Sequence, residues 1–257
     1  EVDGAQGLGP IVALHALDQV AKRARETGIA VAAISNCDHL GMLAWYADKI
    51  ASQGQILLAL TISEALVHPW GGRQALLGTN PIALGVPASP RPFVFDMATS
   101  IAAMGKIHDY AERGQPLPPG WALDEEGHPT IDAAAAKSGA LAPFGGAKGY
   151  GLGLAFEVLV GALTACALGP AVRGTLDSTE PCNKGDVFII IEPAAGVSAS
   201  VSDFLNVLRM SSPTDPEQPV RVPGDRAHAE RQRRIGQEIE LPAPLWARII
   251  DLAGPGR

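Results

Sequence analysis

Ile29-Ala30-Val31-Ala32-Ala33-Ile34-Ser35-Asn36-Cys37-Asp38-His39-Leu40-Gly41 decides how this chain is read. The unbroken apolar run over 29–34 reads as a strand buried on both faces. It stops in a polar cluster, where a strand hands its side chains to a loop. The spacing then predicts a helix over 42–53, capped by Gly54, and a second strand over 55–62. This β–loop–α–β alternation gives an α/β class. Loops held by rigid elements concentrate binding and catalytic groups, so the stretch from Ser35 to Ser100 points to an enzyme-like site.

Upstream, 10–27 reads as a helix. Pro10 suits a first helical position, Ile11, Leu14, Leu17, Val20, Ala21 and Ala24 form an apolar stripe, and Gly28 is a natural C-cap. Asp3-Gly4-Ala5-Gln6-Gly7 reads as a turn. Downstream, 64–81 is a long connection, and loops of that length in a compact domain are usually functional. Strands over 82–86 and 93–95 form an antiparallel pair around an 87–92 turn. Helices are expected over 101–113 and 148–168, with a Pro/Gly-rich excursion covering a cleft over 115–146. A loop over 170–184, a strand over 186–191 and a helix over 201–210 follow. A polar loop over 211–219 and helices over 227–234 and 245–252 end the reading.

The chain has 257 residues, of which 47% are hydrophobic and 18% charged, enough for a sizeable core. A net charge of −7 argues against nucleic-acid or anionic-membrane partners, which favour a basic face. Cys37, Cys166 and Cys182 form no CxxC pair, which speaks against a disulfide framework or a zinc site and for a reducing, cytoplasmic compartment. The run 149–168 is long enough to span a membrane, but it contains Glu157 and four glycines, so a buried core helix is expected.

His39 is the first candidate for chemistry. A histidine just past a strand can give or take a proton near neutral pH. It can equally bond a backbone group and cap the next helix. Asp96, at the end of the 93–95 strand, can orient a histidine, bind a ribose hydroxyl, or cap the helix starting near Ser100. Ser63 and Thr99 carry hydroxyls that bind phosphates or cap helices. Gly145-Gly146-Ala147-Lys148-Gly149 opens a helix whose free N–H groups and dipole favour an anion, or it is a Gly-rich entry made for close packing. His68, in the long loop, lines a site or is a surface or structural histidine. No G-x-G-x-x-G follows a strand, and no G-x-S-x-G, HExxH or paired Cys/His spacing occurs. Rossmann, hydrolase-triad and metal readings therefore lack a motif.

Six runs occur in order: Asn36-Cys37-Asp38-His39-Leu40-Gly41, His68-Pro69-Trp70-Gly71-Gly72, Gly78-Thr79-Asn80-Pro81-Ile82-Ala83, Asp96-Met97-Ala98-Thr99-Ser100, Gly120-Trp121-Ala122-Leu123-Asp124 and Gly145 to Tyr150. Together they resemble the type-2 malate/L-lactate dehydrogenases. These are non-Rossmann NAD(P)-dependent oxidoreductases that include ureidoglycolate and sulfolactate dehydrogenases, diketogulonate reductase and Δ1-piperideine-2-carboxylate reductases. The resemblance implies an α/β (α+β) fold with a mixed, largely antiparallel sheet flanked by helices, NAD or NADP as cofactor, and a homodimer. It makes His39 the acid/base residue, with Asp96 beside it as a catalytic group. Ser63, Asp96, Met97, Ala98, Thr99, Lys148, Gly224 and Asp225 become cofactor contacts, the last two in a Pro-Gly-Asp turn where members carry Pro-Gly-Glu. His68, Thr79 and Asn80 complete the set on the substrate side.

The expected domains are a cofactor-binding part over 36–169 and a helical, substrate-side scaffold over 1–35 and 170–257. Members carry a further N-terminal segment with a Ser-His-Gly motif and an arginine that help hold the substrate carboxylate. This chain is therefore expected to be a piece of a longer polypeptide or to lack part of that pocket. The expected activity is hydride transfer between NAD(P)H and C2 of a small 2-oxo or 2-hydroxy acid. The alternatives are NADPH-dependent reduction of a cyclic imino acid, and a catalytically silent cofactor-binding protein.

Overall fold

A computed structural model describes residues 1–176, 179–241 and 243–254. The chain opens with strand β1 (Val2–Gly7), helix α1 (Gly9–Thr27), strand β2 (Ile29–Cys37), helix α2 (Leu43–Ser52) and strand β3 (Ile56–Thr61). Strands β4 (Ile82–Val86) and β5 (Phe93–Met97) and helix α3 (Met104–Glu112) follow. Short strands β6 (Ala122–Leu123) and β7 (Pro129–Thr130), helix α4 (Ala133–Ala136) and strand β8 (Ala140–Leu141) come next. Helix α5 (Ala147–Thr164), a 3-10 turn at Gly169–Ala171, strand β9 (Asp186–Ile191) and helix α6 (Val197–Arg209) belong to the same unit, Glu1–Pro223. A second unit, Gly224–Arg257, holds helices α7 (Asp225–Arg234) and α8 (Ala243–Ala253). Asp177 and Ser178, inside the expected 170–184 loop, lie outside the described residues.

Six strands pair in the order β1-β2-β9-β3-β4-β5, and of these pairs only β1–β2 is parallel. The sheet is thus mixed and largely antiparallel, as expected. Its central strand shows why. Along β9, Phe188 and Ile190 join the core under α1 and α2, while Val187 and Ile189 turn to the core under α5. A period of two sends alternate side chains to opposite faces, so a strand covered on both reads as continuous apolar sequence. A smaller sheet, β7-β6-β8, packs with α3 and α4 around Ile107, Leu117 and Leu141.

Several expectations change. The 3–7 turn is strand β1, pairing Val2 with Ile34 and Asp3 with Ser35. Asp3, Gly4 and Gly7 make it read as a turn, and Ala5 and Gln6 take positive φ within it. Strand β2 is buried on one face only, since Ile29 and Val31 are about half exposed while Ala32 and Ile34 are covered. Helix α3 starts at Met104, after the Ser100 turn, and the 115–146 excursion carries the small sheet. Helix α5 stops at Thr164 because Ala165 turns left-handed. Among the described residues, no helix is long and apolar enough to cross a membrane.

Helix α2 sits directly on β4 at Gly85, where an added Cβ would collide with Ala47 O. Gly85→Ala is therefore expected to destabilise the protein by about 1–3 kcal/mol, the cost of overpacking a close contact. Chemical denaturation, read as a lower midpoint with unchanged slope, checks it.

Candidate active site

The register of the large sheet brings the candidate residues to one edge. Asp186, the first residue of β9, pairs with Ile34 on β2 and with Thr61, the last residue of β3. Leu60 pairs with Ile82, the first residue of β4, and Ile82 pairs with Met97, the last of β5. Because these neighbours run antiparallel, the ends of β2, β3 and β5 and the starts of β4 and β9 share that edge. His39, Ser63, Thr79 and the Asp96–Thr99 segment leave the sheet there.

His39 is exposed, and its turn is braced from behind. Asp38 N donates to Gly7 O at 3.1 Å, the buried Tyr46 hydroxyl donates to Leu40 O at 2.5 Å, and Gly9 packs against the backbone of Asp38 and His39. Gly41 N donates to His39 Nδ1 at 2.8 Å. An N–H donor needs a lone pair, so the neutral ring carries its proton on Nε2. The surrounding protein first, and the Lys184 charge second, hold the imidazole below its usual 6.5, while Asp186 opposes them. The Gly41 contact acts in the same sense, because the charged ring would turn Nδ1–H toward another N–H.

Beyond β3, Ser63, Thr79 and Thr99 form a hydroxyl cluster. Thr79 N donates to Ser63 Oγ at 3.0 Å, and the two hydroxyls lie 3.4 Å apart. Thr99 N and Oγ1 both donate to Thr79 O, at 2.8 and 2.9 Å. Glu157 holds this cluster in place from α5. It is 3% exposed, and its carboxylate accepts from Gly78 N at 3.2 Å, Asn80 Nδ2 at 2.7 Å and Gly169 N at 2.5 Å. Asn80, fully buried with φ of 37°, also donates to Gly153 O at 3.0 Å. Its amide therefore braces the loop that presents Thr79.

The other candidates fall into place differently. Asp96 Oδ2 accepts from Ala44 N at 2.7 Å, so it caps α2 rather than a helix near Ser100. Surrounding protein pushes its carboxyl up, and the Ala44 N–H pulls it back. Met97 and Ala98 continue from β5 to Thr99, both half-buried. Lys148 is exposed in the first turn of α5, behind Gly145 and Gly146, which take positive φ. Gly153, further along that helix, packs against Thr99. His68 belongs to the loop tied to Leu141, with its ring nitrogen Nδ1 donating to Pro69 O at 2.9 Å. Gly224 and Asp225 are the N-cap and first residue of α7 in the second unit. Cavities of about 400 Å³ beside Asp3, Ser35 and Thr164, and about 300 Å³ beside Glu64 and Arg173, do not include His39. Among the described residues no cluster of His, Cys, Asp and Glu could hold a metal ion.

Sequence reasoning missed the supports. Glu157 was visible as a lone carboxylate in an apolar helix, a signal that a buried charge has donors waiting. The Lys184–Asp186 pair carried no signal until β9 was placed beside β2.

A family model described as malate/L-lactate dehydrogenase matches residues 1–250. L-sulfolactate dehydrogenase of Methanothermobacter thermautotrophicus is 36% identical over 257 residues, covering 98% of this chain and 74% of that protein. Delta(1)-pyrroline-2-carboxylate reductase of Ancylobacter novellus is 37% identical over 266 residues, covering 99% and 76%. The crystal structure of a dehydrogenase from Sinorhizobium meliloti superposes with a TM-score of 0.93 at 52% identity, covering 97% of this chain and 74% of that one.

Glu157→Ala would strand the Gly78, Asn80 and Gly169 donors in the interior. Each orphaned donor costs about 1–3 kcal/mol, so a loss of at least about 3 kcal/mol is expected in equilibrium unfolding by urea.

Proposed function

The chain belongs to the malate/L-lactate dehydrogenase family, and on that premise we propose that it moves a hydride between NAD(P)H and C2 of a small 2-oxo or 2-hydroxy acid. The observation that carries this reading is the single sheet edge at which an exposed imidazole and a hydroxyl cluster meet.

The donor set fits a dinucleotide. The Ser63 hydroxyl can bond a ribose or phosphate oxygen. Lys148 and the free N–H groups at the start of α5 suit a diphosphate, since helix dipole and ammonium favour the same charge. Met97, Ala98 and Thr99 line the segment between them. The chemistry the nicotinamide supplies when bound is the hydride itself. The assay below reads NADH and NADPH separately.

His39 handles the proton. In reduction the charged ring gives its Nε2 proton to the substrate oxygen as negative charge develops there. In oxidation the Nδ1–H tautomer of the neutral ring takes that proton back on Nε2. Reduction leaves the remaining proton on Nδ1, so the Gly41 N–H bond opens when the ring is loaded and re-forms with the Nε2–H tautomer. Asp96 acts on this step through α2, by fixing the helix that follows the His39 turn. His68 and Thr79 are assigned to the substrate side, with Asn80 bracing Thr79.

A second reading, reduction of a cyclic imino acid, is supported by the similarity to the pyrroline-2-carboxylate reductase. The same edge serves it, with the imine nitrogen in place of the carbonyl oxygen. A homodimer is part of the proposal, supported by the exposed Leu152, Leu154, Val158, Leu159 and Leu163 on α5. The free thiols of Cys37, Cys166 and Cys182 support a reducing, cytoplasmic compartment.

Loss of absorbance from NADH or NADPH with a panel of 2-oxo acids and cyclic imines tests the assignment. Turnover on 2-oxo acids supports the first reading, turnover on imines alone the second, and tight binding without turnover a silent protein. His39→Ala is expected to lower kcat by about 10²–10⁴, the usual contribution of a positioned acid or base. Because His39 lies below 6.5, reduction should fall as pH rises through that lowered midpoint, while oxidation should rise over the same window. Sedimentation of the protein should give twice the chain mass.

A further inference from the structure

A buried ion pair stands at the same sheet edge, outside the groups assigned to cofactor and substrate. Lys184 and Asp186 are 1% and 0% exposed, and Lys184 Nζ lies 2.5 Å from both carboxylate oxygens. Buried pairs of this kind can often be replaced by apolar residues without loss of stability. Fold stability alone therefore does not account for one placed at the strand ends.

Its neighbours lead to His39. Asp186 opens β9 opposite Ile34, and the Cys37 thiol on β2 donates to Asp186 Oδ2 at 3.6 Å. Cys37 stands two residues before His39 in the same exit from the sheet. The Cys37 thiol is pushed up to about 12, by burial first and Asp186 second, so it stays protonated and acts as a donor. Tyr46, which faces the pair from α2, is likewise raised to about 12 by burial and by Asp186. Cys182, beside Lys184 in sequence, and Cys166 are also raised by burial. The charged groups facing this corner are then Lys184, Asp186 and Asp38, and the side chain among them that changes charge near neutral pH is His39.

We propose that the Lys184–Asp186 pair is a positioning unit for His39, two opposed charges fixed beside the turn that carries the imidazole and acting on its charge state. The proposal rests on reading His39 as the proton-transfer residue. The two charges act with opposite sign. A cation disfavours the loaded ring and an anion favours it, and Lys184 weighs more heavily on His39 than Asp186 does. Pairing them sets one charge against the other, where a lone lysine would favour loss of the ring proton and a lone aspartate its retention.

Titration of the His39 ring by proton NMR, in the full chain without cofactor or substrate, tests this directly. His39→Gln assigns the resonance among the six histidines. Asp186→Asn should move the His39 midpoint down, because Lys184 is then unopposed, and Lys184→Met should move it up. The double variant Lys184→Met/Asp186→Leu removes both charges, is expected to melt close to the parent, and should move the midpoint up, since the heavier influence is lost. The double variant decides if either single variant unfolds. A purely structural pair would lower the melting temperature without splitting the signs, so an unmoved midpoint in the folded double variant, or single variants that shift the same way, overturns the proposal. Full turnover by His39→Gln would remove the proton-transfer reading while leaving the titration result standing.

Discussion

The position of β9 between β2 and β3 is the constraint on which the rest of the structure depends. Asp186 faces Ile34 on one side and Thr61 on the other, and each later residue of β9 keeps that double register to Ile191. A slip of one residue would turn Phe188 and Ile190 out of the α1–α2 core and bring Val187 and Ile189 into it. Both faces of this strand are buried, so both object to the slip. The register is set by packing, and the site inherits it.

What it inherits is placement. Antiparallel neighbours alternate in direction, so a common edge collects the ends of some strands and the starts of others. The His39 turn, the Ser63–Thr79–Thr99 cluster and the Lys184–Asp186 pair share that edge although they are far apart in sequence. The supports are mostly backbone donors captured by buried acceptors: Glu157 takes two main-chain N–H groups and an amide, and Asp96 takes the Ala44 N–H. Such supports fix geometry without adding reactive groups. That suits a site whose hard chemistry is brought by a cofactor.

Much of this could be read from the residues. The Pro10 start and Gly28 stop of α1, the β4–β5 pair and the polar exits at His39 and Asp96 each follow from a local rule. What stayed hidden was set by contacts across the chain. β1 looks like a turn because of Asp3, Gly4 and Gly7, and pairing with Ile34 and Ser35 makes it a strand. Asp96 announces a cap, but α2, packed beside β5, supplies the N–H rather than the next helix in sequence. His39 bonds a backbone N–H, as one reading of a strand-end histidine allows, and its side chain stays exposed.

The most direct measurement is a crystal structure with NADH and an unreactive 2-oxo acid analogue bound. The account predicts the keto oxygen about 2.6–3.2 Å from His39 Nε2, within proton-transfer reach, and the dinucleotide running past Ser63 and Thr99 toward Lys148. A dinucleotide seated at the opposite end of the strands, beside Gly28 and Gly54, would contradict it.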